Sequence, residues 1–446
     1  MVNDFIHYPF LLLVLLFEYL MCIKELVHLL SFPQFLAHPP TFARPYFYCE
    51  YAVSVNFDYP FDGLPVVNFF GDLFQLGAIC ASDLIVAPLP SSPPDAIYGF
   101  SLYQLFQKVV MLDELMRQGP DQVNLTSRLM AIRSGQINEN HWIEINDRYE
   151  GNLSDDEKEL FSRDDTITLC ETWQEVNLEN HRKLVELGKP VAVIPSKGRG
   201  THHRTTQDQM GQIPRVAHIA VGCRVMLTKN QRALTSFGLN NGAVGTIKAI
   251  VYDLDKAPPE FPKAIIVDFP KYVGPLWINR EPTWVPIRVD IGRCDKQCRC
   301  ERTGIPLISA YSIPIAKSQG MSIGDNHIFK RARIKLQQTS LMENGSLGTT
   351  YTALSRVDKD KNWCLVDQIN FSRLECINNN KGMEKRNKEE ERLRTLSKKT
   401  IAENDVSEEE YLQLLQEVDT FCNDSIFDSQ CHNPSQVCIC LQTKYT

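Results

Sequence analysis

Arg356 closes the run Gly348-Thr-Thr-Tyr-Thr-Ala-Leu-Ser-Arg-Val357. A guanidinium at the end of such a segment suits an arginine finger. Such a group neutralises the charge that builds during phosphoryl transfer and is worth ~10³–10⁵ in rate. Upstream, Ala310-Tyr-Ser-Ile-Pro-Ile-Ala-Lys-Ser-Gln-Gly320 ends in a Lys317-Ser318-Gln319-Gly320 turn. A lysine and a hydroxyl beside a glycine suit phosphate contact, either of a nucleotide or of a DNA backbone. Nearer the N-terminus, Gly71-Asp72-Leu-Phe-Gln75 follows an apolar run. The Gln75 amide both donates and accepts, so it can sense a terminal phosphate or its attacking water. Arg117, in Leu112-Asp-Glu-Leu-Met-Arg-Gln118, can grip a phosphate through two parallel N–H groups. Each signal is weak alone: a Gly-Asp after a strand is ordinarily a turn, and a lone arginine is ordinarily a surface residue. Asp113-Glu114 after Val109–Leu112 resembles a magnesium-binding acidic strand end. Such an end belongs before the Gly-Asp-x-x-Gln turn and here follows it, so Arg117 is taken as the functional residue of that segment.

The elements that must position these groups alternate between helix and strand. Pro65–Phe70 is expected to be a buried parallel strand entering the Gly71-Asp72 turn. A strand-like Val109–Leu112 follows a Pro/Ser-rich loop at Pro88–Pro94. Helical spacing marks Asn124–Arg133 and Glu171–Leu187. Ser196–Arg215 is a polar loop rich in Gly, His and Arg. Alternating runs at Arg224–Thr228 and Val244–Ile250 surround Asn240-Asn241-Gly242, a turn signal. Strands at Ala264–Phe269 and Thr283–Val289 complete a small antiparallel barrel. From Ile305 to Phe329 the pattern returns to α/β, and Lys381–Lys399 is a charged, solvated helix.

The chain has 446 residues, enough for about three domains at ~150 residues each. Hydrophobic and charged contents of 43% and 23% allow large cores. A net charge of −7 neither indicates nor excludes nucleic acid, because a local basic groove suffices. Fourteen scattered cysteines fit a reduced setting rather than a disulfide scaffold. Cys294, Cys298 and Cys300 lack a nearby fourth zinc ligand, and Cys431, His432, Cys438 and Cys440 lie far off, so ordinary thiols are expected. Phe10–Ile23 is apolar but broken by Glu18, and is shorter than the ~20 residues of a bilayer span. It also lacks a basic n-region. A buried helix or a leader foreign to the rest is expected there, without stable membrane association.

The motifs gain force in order. Gly-Asp-x-x-Gln-Leu, Met-Arg-Gln, Val-Gly-Cys-Arg-Val-Met-Leu-Thr, Asn-Gly-x-x-Gly, Lys-Ser-Gln-Gly and Ala-Leu-Ser-Arg-Val succeed one another between Gly71 and Val357. This succession resembles the superfamily-one DNA helicases of the PIF-one/RecD type, especially the Helitron-transposon-like branch, from about Pro60 to Leu374. The resemblance implies an α/β fold: a RecA-like parallel-sheet domain with an inserted small SH3-like β-barrel, plus a remnant of a first RecA-like domain. The expected boundaries are a hydrophobic leader at 1–55, the remnant at 56–120, the second RecA-like domain at 121–217 and 303–378, the barrel at 218–302, and a charged helical or disordered tail at 379–446. It further implies that Gln75 senses the γ-phosphate of ATP, and that Arg117 and Arg356 contact it from the second domain, with Asp72 and Gly320 also on the nucleotide. Lys317, Ser318 and Gln319 would couple DNA to nucleotide. The implied activity is hydrolysis of ATP with Mg2+, driving 5′-to-3′ unwinding of single-stranded or forked DNA. Repair, recombination or telomere maintenance in the nucleus is the expected setting, with mitochondria or cytoplasm as alternatives.

The sequence departs from that pattern in four ways. No Gly-Lys-Ser/Thr phosphate loop occurs in the 446 residues. No acidic strand end precedes Gly71. Pro314 and Ala316 replace the Thr and the His or Asn typical of the family, and Gly77 stands where proline is usual. The expectation is therefore a truncated helicase, inactive alone. The alternative is a single-stranded DNA-binding module working without ATP. Its contacts would come from Arg199, His202, His203 and Arg204 in the polar loop, and from Lys229.

Overall fold

The computed structural model describes residues 69–77, 84–113, 115–200, 205–294, 300–339 and 341–403. Phe10–Ile23, His202, His203, Arg204, Cys298 and the 431–440 cysteine/histidine cluster lie outside them. The described residues form two compact units, one of residues 69–70, 84–112 and 389–403, the other of 71–77 and 113–388.

The described part of the first unit contains helix α1, Pro94–Tyr103, and the end of a long helix. Tyr103 donates its hydroxyl to Glu389 at 2.7 Å. The expected strand at Val109–Leu112 is not formed. The Val109 and Met111 amides donate instead to the side chains of Thr400 (3.0 Å) and Ser397 (3.3 Å). Leu112 is 78% exposed, so this apolar run has no sheet to enter. Phe69 and Phe70, the described end of the other expected strand, are likewise irregular. Phe70 is 67% exposed, while the Phe69 ring meets Phe106 at 4.9 Å.

The second unit opens with helices α2 (Val123–Ser134), α3 (Glu139–Asp147) and α4 (Asp155–Ser162). Strand β1 (Thr166–Cys170) and helix α5 (Trp173–Glu186) follow. Next come β2 (Ala192–Pro195), β3 (Lys197–Arg199), β4 (Val216–Ile219), β5 (Arg224–Leu227), β6 (Val244–Val251), β7 (Ala264–Asp268) and β8 (Trp284–Ile287). Then follow β9 (Asp290–Arg293), β10 (Glu301–Gly304), β11 (Leu307–Ser309), β12 (Ser312–Pro314) and β13 (Arg331–Lys335). The unit ends with α6 (Leu341–Gly345), α7 (Thr349–Leu354), β14 (Trp363–Leu365) and α8 (Phe371–Asn378). Helix α9 (Lys381–Glu403) runs on from Lys388 into the first unit's residues.

A parallel four-stranded sheet has the order β12-β1-β13-β14. Every residue of β1 is buried, as expected for a central parallel strand covered on both faces. Ile167, Leu169, Ile313, Ile334, Trp363 and Leu365 join Leu125, Leu129 and Ile132 of α2 and Leu374 and Ile377 of α8 in one core. Pro314 is tolerated because it ends the edge strand β12, where a missing ladder N–H costs little.

An antiparallel sheet with the order β11-β5-β6-β7-β8 has its own core of Val225, Leu227, Ile247, Ile265, Val267, Val285 and Leu307. Here the alternation read from the sequence is realised, for Ile265 and Val267 are buried between half-exposed neighbours. Arg224 joins the two sheets. From the start of β5 its guanidinium donates to the carbonyls of Ala310 (2.8 Å), Thr166 (2.8 Å) and Asp164. The rings of Tyr311 and Phe329 flank it at 4.9 and 4.8 Å.

Among the described residues no helix is long and apolar enough to cross a membrane. Cys300 is buried and Cys294 is half-buried.

Candidate functional site

The last motif begins with a glycine for a steric reason. Gly348 has φ +97°, and a Cβ there would stand 2.4 Å from the carbonyl oxygen of Phe74. A left-handed backbone and this close approach both require glycine. The Gly71–Gln75 turn thereby lies directly against the start of α7.

A buried carboxylate fixes that start. Glu343 accepts from the backbone N–H of Gly348 (3.1 Å) and of Thr350 (3.2 Å), and from the Thr350 hydroxyl (2.8 Å). Its charge is answered by Arg373 at 3.0 Å, which also binds Glu171 at 2.5 Å and donates to the Gln337 carbonyl at 2.8 Å. Burial pushes the Glu171 carboxyl up against the pull of Arg373. Glu343, Glu171 and Arg373 have no solvent-exposed side-chain surface.

The Gly71–Gln75 turn is pinned on the same helix. The Leu76 amide donates to the Thr352 hydroxyl at 2.9 Å. Asp72 organises the turn itself, accepting from the Phe74 amide (3.1 Å) and from the Gln75 side chain (3.2 Å). Arg133 approaches Asp72 at 3.8 Å and lies over the Phe74 ring at 4.0 Å. The Tyr351 hydroxyl bonds to Asp72, and burial first, then that carboxylate, pushes its pKa up to about 12.

Two arginines complete the cluster. Arg356 is 2% exposed and donates to the Thr352 carbonyl (2.9 Å) and the Ser355 hydroxyl (2.8 Å). Arg117 donates to the Ser322 hydroxyl (3.0 Å) and the Ser355 carbonyl (2.8 Å). These partners are all neutral. Burial, and then the like charge of Arg117, bring Arg356 down to about 10. Burial also lowers Arg117. Two partly desolvated cations held side by side make a place where an anion would be welcome.

The structure therefore brings Asp72, Gln75, Arg117 and Arg356 into one cluster. Gln319 reaches it too, its amide donating to the Leu76 carbonyl at 3.1 Å. Gly320 has φ +78° with open space where a Cβ would stand, so it is the turn's shape that needs glycine. Ser318 is wholly buried and donates to the Ile315 carbonyl at 2.7 Å. Lys317 lies on the single turn Ile315–Ser318 after β12. Lys229 is outside the cluster, paired with Asp290 at 2.9 Å and donating to the Ile291 carbonyl. Arg199 sits on β3 opposite Glu301. Arg133, Ser322 and Tyr351 were not singled out from the sequence. Tyr351 stands inside the quoted motif, but the other two carry no local pattern.

No protein-family model matches the chain. The chain is 24% identical over 282 residues to the ATP-dependent DNA helicase PIF1 of Danio rerio, a match covering 62% of this chain and 38% of that protein. Its fold is similar to the crystal structure of Pif1 helicase from Candida albicans, with TM-score 0.53 and 20% identity over 76% of this chain and 71% of that one. It is also similar to Pif1 helicase from Bacteroides in complex with ADP-AlF3 and ssDNA, with TM-score 0.50 and 19% identity over 76% and 70% of the two chains. A parallel α/β unit carrying one buried and one half-buried arginine side by side thus has a fold similar to that of these structures. The chain is related to the PIF1-type superfamily-one helicases. It spans 38% of the length of the curated relative it matches.

Proposed function

We propose that this chain supplies the second motor half of an ATP-dependent 5′-to-3′ DNA helicase. By itself it would hold single-stranded DNA without hydrolysing ATP. The observation that carries this is the convergence of Arg117 and Arg356 on Ser355, beside the Gln75 turn. Their cationic groups fit the γ-phosphate end of ATP, for a dianionic phosphoryl group would relieve two partly desolvated like charges. Arg117 and Arg356 would hold that end, and Gln75, released from Asp72, would orient a water beside it. ATP, when bound, supplies the free energy of phosphoryl transfer.

The magnesium ligands are another matter. No group of three or more His, Cys, Asp or Glu able to hold a metal ion occurs among the described residues. A Gly-Lys-Ser/Thr cradle is not found in these 446 residues either. We therefore assign the phosphate loop and magnesium to a domain supplied from elsewhere. The antiparallel sheet from β5 to β11 corresponds, in this proposal, to the SH3-like insertion. The Bacteroides relative, solved with ssDNA, supports the choice of nucleic acid. Nuclear maintenance of DNA is the setting proposed.

Two measurements test this. The chain should bind a labelled single-stranded oligonucleotide with an affinity that falls as salt rises. It should turn over ATP only when a phosphate-loop domain is added. Salt-independent binding sinks the DNA half of the proposal, and robust ATPase activity by the chain alone sinks the account of the site.

A further inference from the structure

Strands β1 and β12 are parallel neighbours, with Cys170 opposite Pro314. Both end there, so the segments that follow leave the sheet together at its C-terminal edge. Ligands of open α/β sheets bind at that edge. The first segment leads to Trp173, at the start of α5, and the second to Lys317.

Trp173 is 38% exposed, although α5 buries Val176, Asn180 and Leu184. The indole is therefore not what holds the helix to the sheet. Nor does it close the helix end, because Thr172 and Glu175 cap one another through side chain and amide. The Lys317 ammonium stands 5.7 Å from the centre of the Trp173 ring, within the range of a cation–π contact. A part-exposed indole with an ammonium over its ring is a pairing with which proteins hold single strands irrespective of sequence. A base stacks on the ring and the cation meets its phosphate.

From this placement we infer that Trp173 and Lys317 form a stacking platform for one nucleotide of single-stranded DNA. The inference rests on the single-strand binding proposed above and names a residue that carries it. The platform is joined to the nucleotide-facing cluster by chain connectivity. Gln319, two residues beyond Lys317, donates to the Leu76 carbonyl next to Gln75. A strand moving on Trp173 and Lys317 would act on the turn that touches the phosphate sensor.

The test uses the full chain and a labelled oligothymidylate of about 16 nucleotides, in the range of single-strand site sizes. The variants are Trp173→Ala, Trp173→Phe and Lys317→Ala, with thermal melts confirming that each folds. Trp173→Ala is expected to weaken binding about tenfold or more without changing the salt slope. Trp173→Phe should retain affinity within about twofold, since a phenyl ring still stacks. It should also remove most of the tryptophan fluorescence quenching caused by DNA, although four other tryptophans remain. Lys317→Ala should lower the salt slope by about 0.7, the effect of one phosphate contact. If the unaltered chain binds but Trp173→Ala binds equally well, the platform is overturned while single-strand binding survives. If the unaltered chain does not bind, the underlying function fails and this inference fails with it.

Discussion

Arg117 and Arg356 meet on a single residue. Arg117 donates to the backbone carbonyl of Ser355 and Arg356 to its hydroxyl, both at 2.8 Å. Each guanidinium is thereby oriented by neutral acceptors, and no carboxylate among the described residues pairs with either. An ion pair would cancel the charge locally. Here the two charges are left to be answered by something else.

That arrangement makes Arg356 a poor contributor to stability. Its folded pKa is lowered from 12.5 to about 10. A base shifted this way adds stability only as pH rises from about 10 toward 12.5, and at neutral pH its charge is a cost. Arg356→Met removes two hydrogen bonds but also removes the repulsion. The expected loss in urea unfolding at neutral pH is under about 1.5 kcal/mol. ATP turnover with an added phosphate-loop domain should nevertheless fall by ~10³–10⁵. A loss of stability near that of a core truncation would show that Arg356 is structural.

Arg373 is the opposite case. It stands between Glu171 and Glu343 with no exposed surface, and Glu343 fixes the start of α7. Arg373→Met leaves two buried carboxylates without a cation, which costs ~3–5 kcal/mol. The pH dependence follows from the raised Glu171 pKa. An acid whose folded pKa lies above its unfolded value favours folding below the unfolded value and loses that contribution as pH rises. Removing the cation raises it further. The stability gap between the native chain and the variant should therefore narrow between pH 7 and pH 4.5. A gap that widens on acidification would contradict this account.

The cluster was legible in the sequence where a local motif encoded it. Gln75, Arg117 and Arg356 lie in short signatures whose residues touch in the fold. Helices α2 and α5 were legible from the helical spacing of their buried residues, and strands β7 and β8 from burial that alternates residue by residue; β5 and β6 were legible from the Asn-Gly turn between them. Strands β1, β13 and β14 were not named. β1 is buried throughout and β14 has three residues, so neither shows a period. Val109–Leu112 misled for the same reason. A four-residue apolar run does not say whether a sheet is there to receive it, and here side chains of α9 take its amides. Glu343 and Glu171 carry no pattern, since their role depends on Arg373 arriving from a distant helix.

Two motif glycines should respond differently to the same change. At Gly348 an added methyl meets the Phe74 carbonyl oxygen at 2.4 Å and the Gln75 carbonyl oxygen at 2.8 Å. Gly348→Ala must therefore displace the turn that carries Gln75. At Gly320 a methyl meets nothing within 4 Å, so only the left-handed backbone at φ +78° is strained, at ~1–2 kcal/mol. Thermal melts should show a larger drop for Gly348→Ala than for Gly320→Ala. Equal drops would mean that the close approach of Phe74 to α7 is not rigid.

Arg224 offers the sharpest test of how the second unit is held together. Its guanidinium reaches the carbonyls of Asp164 and Thr166 at the entry to β1, and that of Ala310 before β12. Burial lowers its pKa to about 10, so it remains charged at neutral pH. A lysine carries the same charge but lacks the planar fork that serves three acceptors at once. Arg224→Lys is thus expected to leave carbonyls unpaired in the interior and to cost on the order of 2–4 kcal/mol. The effect should be local before it is global. The Thr168 amide, which donates to Tyr311 across the β1–β12 pair, should exchange faster in the variant than amides between β6 and β7. Uniform acceleration of both sheets would mean that the unit unfolds as one body and that Arg224 contributes only to its total stability.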